Sequence, residues 1–234
     1  MDKTEILYGL AWYFVFVISV TFHEAAHAWA AKKGGDLTAY SGGQVSLNPW
    51  PHMKREPLGM VVIPLISAFL IGWPFGYAKT PFNPEWAHTY PRKAAWMSAA
   101  GPAANLLLFL LAVLIIKVGI LAGIFAEPYS VNFHHMVDPA VGDNTNGLVI
   151  FISMLFSMNL ILLVLNIIPL PPLDGSGMIA LLLSDDAARK YKAVISNPAF
   201  AIIGLLLAWQ AFTPLFEFIF VRVINIVYWG AGFR

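Results

Sequence analysis

Four long apolar stretches alternate with shorter polar segments along the chain. They cover residues 6–31, 94–121, 147–165 and 198–212. The first is about 26 residues long, or roughly 39 Å of α-helix, which is enough to cross the hydrocarbon core of a bilayer. The pattern therefore predicts an all-α membrane protein with several transmembrane helices.

Three segments depart from this pattern. Residues 58–77 are apolar but interrupted by prolines and glycines, and both flanks are basic, so we predict a kinked or re-entrant pair of half-segments. Residues 40–57 are rich in Ser, Gly, Asn and Pro, and an alternating stretch at 44–47 predicts a small β-hairpin or strand at the membrane surface. After Pro214, residues 215–229 predict an interfacial amphipathic helix.

Composition agrees with a membrane location. The chain is 59% hydrophobic and 12% charged, with a mean hydropathy of +0.70, whereas soluble domains average about 45–50% apolar and about 25% charged residues. Since the apolar content runs from end to end, we expect one domain over residues 1–234. The formal net charge of +1 argues against a nucleic-acid-binding surface. Because there is no cysteine, any metal site must use His, Asp or Glu.

Basic residues indicate which end of the first helix faces the cytoplasm. Lys32 and Lys33 follow it directly, and cytoplasmic flanks of transmembrane helices are enriched in Lys and Arg. Residues 127–146 are polar and contain neither Lys nor Arg, as expected outside the cell. We therefore predict a multi-pass protein of the plasma membrane whose first helix ends in the cytoplasm.

One polar cluster lies inside the first apolar stretch. His23 and His27 are four residues apart and share one face of a helix, where both imidazoles can bind one metal ion. Glu24 lies about 100° away, where it can activate a metal-bound water. Because ionisable residues inside a membrane are costly, the motif favours a metal site over a chance match. The histidines lie roughly 8–14 Å below Lys32, so water can reach them from the cytoplasm.

A third ligand must come from elsewhere, since zinc suits two neutral imidazoles, a carboxylate and an open position for water. Asp174 follows the third apolar stretch, which by charge counting ends on the same side as the first. Prolines at 169, 171 and 172 break the preceding helix and can turn the carboxylate inward. The alternative is that Asp174 only caps a helix beginning near Gly175.

Three short blocks of sequence carry a family resemblance. They are HEAAH at residues 23–27, AGPAAN at residues 100–105 and NIIPLPPLDG at residues 166–175. In this order they resemble the site-2 protease family of intramembrane zinc proteases. The stretch GYAKTPFNP at residues 76–84 resembles the compact bacterial and archaeal branch. The chain has no room for the PDZ or CBS domain that some members carry.

The resemblance implies roles for individual residues. His23, His27 and Asp174 map to the zinc ligands. Glu24 maps to the general base that activates water and then passes a proton to the leaving amine. Asn166 maps to a polar residue of the active site that holds either the substrate backbone or the oxyanion.

The resemblance also implies a substrate and the way it binds. Residues 44–48 resemble the family's membrane-associated strand region, which receives substrate as an added strand, so Gln44 and Val45 are candidate substrate contacts. Asn105 is a further candidate, although a hydrogen bond between packed helices would explain it equally well. Family members cut membrane-spanning segments of other proteins, which implies one Zn²⁺ per chain, transmembrane protein substrates and a lipid bilayer as surroundings.

Two other functions are compatible with these residues. A membrane metal-binding protein or transporter would usually carry ionisable residues on several spanning helices and internal repeats, and the sequence shows no repeat. A non-catalytic relative could bind membrane segments without cutting them, but it would not need Glu24 beside the metal. We assign no function to His52, which we expect on a surface loop, or to His134 and His135, which we expect on the opposite side of the membrane.

Overall fold

The computed structural model describes residues 3–142, 147–229 and 232–233. The end of the predicted outer loop, residues 143–146, lies outside them. The described part is mostly helical, with α1 (Lys3–Gly34), α2 (Thr38–Ser41), α3 (Pro49–Arg55), α4 (Ile63–Leu70), α5 (Pro84–Thr89), α6 (Pro91–Leu121), α7 (Gly147–Ile167), α8 (Asp174–Met178), α9 (Asp185–Ile195) and α10 (Pro198–Val227). A π-helical turn, Leu58–Val62, precedes α4, and a 3₁₀ turn, Ile179–Leu182, follows α8.

Four helices of the described part, α1, α6, α7 and α10, are long and apolar enough to cross a membrane. They coincide with the four predicted apolar stretches, and the helices extend beyond these stretches wherever polar flanking residues continue the backbone hydrogen bonding. The prediction of an all-α membrane protein with several spanning helices is confirmed.

The last helix differs from the prediction. The sequence predicts a break at Pro214 and a separate interfacial helix, but α10 continues through this proline from Pro198 to Val227. The predicted break is therefore wrong. Proline removes a single backbone donor, and a transmembrane helix tolerates it when the surrounding residues keep their own hydrogen bonds.

The small β element lies elsewhere than predicted. Residues 44–47 form bends between α2 and α3, not a strand, so this prediction is wrong. The side chain of Asn48 caps α3 by accepting a hydrogen bond from Trp50 N at 2.9 Å, and no second strand lies alongside to complete a ladder. The described part contains one two-stranded antiparallel sheet, formed by β1 (Phe125–Ala126) and β2 (Asp138–Pro139).

The two ends of the segment at 58–77 lie next to each other, so the chain folds back on itself. Tyr77 N donates a hydrogen bond to Gly59 O at 3.1 Å, and Phe75 N donates one to Ser67 Oγ at 2.7 Å. A Cβ atom on Gly59 would overlap the backbone of Tyr77, so the absence of a side chain permits this approach. The geometry agrees with the predicted re-entrant pair of half-segments.

The core is formed where α1, α6 and α7 pack together. Val15 and Phe16 of α1 are buried in it. Phe109 of α6 contacts Phe156 of α7 edge to face, with ring centroids 4.8 Å apart. This packing brings the middle of α1, which carries His23, against the first half of α6.

The C-terminal end of α1 is tied to the connector before α6 by one carboxylate. Asp36 is 4% exposed; its Oδ1 accepts hydrogen bonds from Thr38 N at 2.9 Å and Thr38 Oγ1 at 2.6 Å, and its Oδ2 accepts one from Asn83 N at 2.7 Å. Burial raises the pKa of Asp36, but these donors outweigh it and hold the pKa below its ordinary value. The ionised carboxylate thus stabilises the folded connector.

We expect Asp36→Asn to lower the free energy of unfolding at neutral pH by about 2 kcal/mol, because a charge-assisted set of hydrogen bonds is lost. Since the folded pKa is depressed, the wild-type advantage is complete above the unfolded pKa and disappears as pH falls through the folded pKa. Thermal unfolding in detergent over a descending pH series measures this. The control is Asp186→Asn, at a side chain 84% exposed; an equal effect in both variants would contradict the assignment.

Candidate metal centre

The two histidines of the first helix meet at one point. α1 is continuous through them, so His23 and His27 lie one turn apart on the same face. Both are buried, and their Nε2 atoms are 3.0 Å apart. The face that they share is turned toward α6 rather than toward the surface of the protein.

A carboxylate from a distant segment reaches the same point. Asp174 is the first residue of α8, directly after the proline-rich turn that follows α7. Its Oδ2 lies 3.0 Å from His23 Nε2 and 3.2 Å from His27 Nε2. The cap position of α8 is occupied by Leu173, and no side chain caps the helix, so the alternative of a capping role for Asp174 has no support in the geometry.

The hydrogen bonds made by Nδ1 of each imidazole set the histidine tautomers, and thereby the kind of ligand that the site can bind. His27 Nδ1 is 2.7 Å from Met97 O, and His23 Nδ1 is 2.6 Å from Asn105 Oδ1. Carbonyl oxygens only accept hydrogen bonds, so each Nδ1 carries the proton and each Nε2 presents a lone pair. Asp174 Oδ2 is buried without a hydrogen-bond donor. When both imidazoles are neutral, three lone pairs therefore converge at one point.

This arrangement fits a tetrahedral metal ion. Ligand atoms about 2.0–2.2 Å from zinc at tetrahedral angles are separated by about 3.3–3.6 Å, close to the separations of 3.0 to 3.2 Å found here. Two neutral imidazoles and one carboxylate form a ligand set that zinc prefers. The residues present thus fit a zinc ion, with a fourth position left for water.

Gly101 of α6 provides the space for this ion. A Cβ atom at this position would collide with His27 Nε2 and would lie 2.5 Å from His23 Nε2. The missing side chain lets α6 approach α1 at the level of the metal ligands. Close packing through this small residue therefore serves the site itself.

We expect Gly101→Ala to abolish zinc binding, reducing the content from about one ion per chain to background, because the methyl group enters the ligand triangle. Zinc content after purification in detergent measures this. The control is Gly119→Ala on the same helix, where the added Cβ would meet the Phe125 ring and not the site. Wild-type zinc content in Gly101→Ala would contradict the assignment.

The glutamate of the motif lies beside the metal ligands and accepts hydrogen bonds from Thr80, which lies outside α1. Glu24 is buried, and its carboxylate and the two imidazoles place their ligand atoms within 4.8 Å of one another. Thr80 Oγ1 lies 2.7 Å from Glu24 Oε2 and 2.9 Å from Glu24 O. Thr80 was not among the residues that the sequence predicts to be functional. Its only signal was a position in the 76–84 stretch that resembles the family.

An open apolar cavity of about 530 Å³ is lined by α1, α6 and residues 45–47, and none of His23, Glu24, His27 and Asp174 is part of its lining. Its floor is made by small residues of α1 and α6, including Ala25 and Ala26 from the two spacer positions of the motif. One rim consists of Val45, Ser46 and Leu47. Within the described residues no intramolecular hydrogen bond uses the backbone of Val45 or Leu47. An extended chain could pair with this rim while its side chains enter the cavity.

The remaining candidates occupy different environments. Gln44 is buried behind the rim, whereas Val45 lines the cavity. Asn166 is half-buried, and its Nδ2 donates to Leu162 O at 3.0 Å. Asn105 is 0% exposed, and both ends of its amide are used inside the protein. These hydrogen bonds join α6 to α1 and α7, as the helix-packing alternative expects.

The structure also shows where His52 and His135, to which the sequence assigns no function, are located. His52 is 1% exposed, so its expected surface position is wrong, and it is hydrogen-bonded through Nε2 to Ser46 O at 3.0 Å. His135 pairs with Asp138 at 2.5 Å. Within residues 3–142 and 147–229, His, Asp and Glu residues cluster in threes or more around His23, Glu24 and His27, the group that Asp174 also reaches.

A helix-borne His-Glu-x-x-His pair, a carboxylate from a second segment and membrane-spanning surroundings define a class of membrane metallopeptidases. The profile of peptidase family M50 matches residues 11–209, and the chain belongs to this family, the site-2 proteases. By family it is a metalloprotease of the zinc-dependent kind.

Two similar proteins carry names of the same class. "Putative zinc metalloprotease YwhC" of Bacillus subtilis (strain 168) is 29% identical over 209 residues, covering 89% of this chain and 83% of that protein. "Putative zinc metalloprotease Rip2" of Mycolicibacterium smegmatis (strain ATCC 700084 / mc(2)155) is 28% identical over 218 residues, covering 93% of this chain and 71% of that protein. No solved structure matches the chain significantly.

Proposed function

We propose that this protein is an intramembrane zinc metalloendopeptidase that hydrolyses peptide bonds within or near transmembrane segments of other membrane proteins. The observation that carries the proposal is the convergence of three ligand atoms, on His23, His27 and Asp174, next to Glu24. These ligands lie in and beside helices that are long enough to span a bilayer.

The three ligands would hold one zinc ion. When bound, zinc supplies a Lewis acid that polarises the scissile carbonyl and lowers the pKa of a bound water to about 7. The hydrogen bonds to Met97 O and Asn105 Oδ1 keep the lone pairs of both imidazoles directed at the ion. Gly101 leaves the volume that the ion needs.

Glu24 takes the proton of the attacking water and delivers it to the leaving amine. Its position one residue after His23 places the carboxylate next to the ligands rather than among them. Thr80 donates a hydrogen bond to Oε2, which fixes the direction of the carboxylate and leaves the other oxygen free for the water. Burial excludes bulk solvent from the carboxylate and strengthens these interactions.

The rim at Val45–Leu47 would hold substrate in an extended form. A peptide bond in a helix has its carbonyl engaged and shielded, so the segment must unwind before hydrolysis. The unpaired backbone groups of Val45 and Leu47 can bind the unwound chain as an added strand. The segment would then bind substrate as predicted without being a strand in the absence of a partner, and His52 holds it in place through a hydrogen bond with Ser46 O.

The site would face the cytoplasm in the plasma membrane. Lys32 and Lys33 lie at the end of α1 that is nearer to His27, and cytoplasmic flanks are rich in such residues. The expected partners are single transmembrane segments with helix-breaking residues, because these unwind at the lowest cost. Asn166, half-buried near the end of α7, is proposed to steady the bound backbone.

The test uses purified wild type in liposomes with a tagged single-pass membrane protein. One version of its transmembrane segment contains helix-breaking residues and the other has leucine in their place. We expect about one zinc per chain and cleavage of the first version at a faster rate. Zinc-loaded protein that cuts β-casein but neither membrane segment would overturn the membrane substrate, and a folded protein that takes up no zinc would overturn the site.

We expect Thr80→Val to slow cleavage by about tenfold, the equivalent of about 1.4 kcal/mol of lost hydrogen bonding to Glu24, with zinc content unchanged. Thr80→Ser keeps the hydroxyl and should restore the wild-type kcat. Initial rates on the helix-breaking substrate, divided by zinc content, measure both variants. An equal loss in Thr80→Ser and Thr80→Val would show that the hydroxyl is not what matters.

A further inference from the structure

A fully buried chain of amides leads from the middle of α7 to the first zinc ligand. Asn105 Oδ1 faces His23 Nδ1 at 2.6 Å, while Asn105 Nδ2 donates to Asn159 Oδ1 at 2.9 Å and to Ser19 O at 3.4 Å. Asn105, Asn159 and Ser19 are each 0% exposed. The orientation of the Asn105 amide is therefore set by its neighbours and not by water.

Asn159 in turn has one orientation available to it. Its Nδ2 donates to Leu155 O at 2.9 Å and to Ser19 Oγ at 3.0 Å. The backbone carbonyl of Leu155 can only accept, so the amide nitrogen of Asn159 must face it and the oxygen must face Asn105. The direction of the hydrogen bonds up to His23 follows from this carbonyl through the 2.9 Å bond between Asn159 and Asn105, and the longer 3.4 Å bond from Asn105 Nδ2 to Ser19 O favours the same orientation.

We propose that Asn159 is a positioning residue for metal binding, which acts by fixing the Asn105 amide and thereby the tautomer of His23. The inference rests on the proposed zinc site and adds a residue to it. If the Asn105 amide turned over, its NH₂ group would face His23 Nδ1. That nitrogen would then need the lone pair, Nε2 would carry the proton, and a protonated Nε2 cannot bind a metal.

The two histidines differ in how firmly their tautomers are set. His27 Nδ1 faces Met97 O, a backbone carbonyl that cannot turn over within its helix. His23 Nδ1 faces a side-chain amide, which can. Only the His23 half of the site therefore needs an additional residue to hold it, and Asn159 is the residue placed to do so.

The experiment measures zinc affinity by competition with a chelator of known affinity, together with thermal unfolding of the metal-stripped protein. We expect Asn159→Leu to weaken zinc binding by about 10–100-fold, as for other residues that orient a ligating histidine. Ser157→Ala is the matched control: Ser157 is also 0% exposed on α7, and its hydroxyl has no partner. It should bind zinc as wild type does.

A second substitution separates positioning from a general packing role. A carboxylate presents an oxygen whichever way it turns, so Asn105→Asp needs no residue to orient it. We therefore expect Asn105→Asp to restore most of the zinc affinity in the Asn159→Leu background. Where Asn159→Leu does not fold, as judged by unfolding of the metal-stripped protein, Asn159→Ala replaces it in both measurements.

The outcomes distinguish this inference from the proposed function. Weak binding in Asn159→Leu with recovery in the double variant supports the inference. Wild-type affinity in Asn159→Leu, or weak binding that Asn105→Asp does not recover, overturns it while the zinc site stands. A folded wild-type protein that binds no zinc overturns the proposed site and the inference together.

Discussion

Glu24→Gln is expected to keep zinc bound at about one ion per chain and to reduce cleavage by about a hundredfold to ten-thousandfold, the usual contribution of a general acid–base group. The glutamine amide has nearly the same shape as the carboxylate, and its oxygen can still accept the hydrogen bond from Thr80. It cannot accept a proton from water. The change thus removes the proton transfer and leaves the packing intact.

Cleavage of the helix-breaking substrate in liposomes, divided by the measured zinc content, gives the rate for this comparison. Glu217→Gln serves as the control, because Glu217 lies exposed on α10 and is not part of the site. Its rate should equal that of wild type. A Glu24→Gln variant that cuts at the wild-type rate would show that another group moves the proton.

Asp174→Ala is expected to weaken zinc affinity because a metal ligand is removed. The loss should exceed the roughly 10–100-fold that follows when a residue orienting a ligating histidine is removed. The remaining imidazoles of His23 and His27 leave two positions of a tetrahedral ion without protein atoms. Since Asp174 Oδ2 has no hydrogen-bond donor within the described protein, the substitution leaves no donor without its acceptor, and the fold should persist.

Zinc content and chelator competition on detergent-purified protein test this, with thermal unfolding as the check on folding. The control is Asp185→Ala, at a carboxylate 54% exposed that pairs with Arg92 across the surface. His23→Ala provides the reference for a lost ligand. Zinc that stays in Asp174→Ala but leaves in His23→Ala would mean that the third ligand is a different residue.

The sequence by itself determined the features that depend on local spacing. Three apolar stretches long enough for a bilayer, and a fourth that spans or nearly spans, predicted the spanning helices, because length and hydropathy are properties of each segment alone. The four-residue spacing of His23 and His27 predicted their shared face, because one helical turn fixes it. Asp174 could be suggested because helix ends on one side of a membrane share a depth.

Tertiary structure decided the features that join residues distant in the chain. Thr80 contacts Glu24 across 56 positions, and Asn105 contacts His23 across 82. Such contacts depend on which helix faces pack together, and this cannot be predicted from the spacing of residues within one segment. The same holds for Asn159. In the sequence it is an isolated polar residue in an apolar span, and only the structure shows Asn105 beside it.

The errors at 44–47 and at Pro214 have the same origin. An alternating pattern describes side chains that could face two ways, but a strand exists only where a second strand offers its backbone, and none lies beside residues 44–47 in the described structure. A proline lowers the local preference for helix, but α10 continues because the backbone on either side keeps its hydrogen bonds. Sequence determined which residues carry the chemistry, and packing decided which atoms hold them in place.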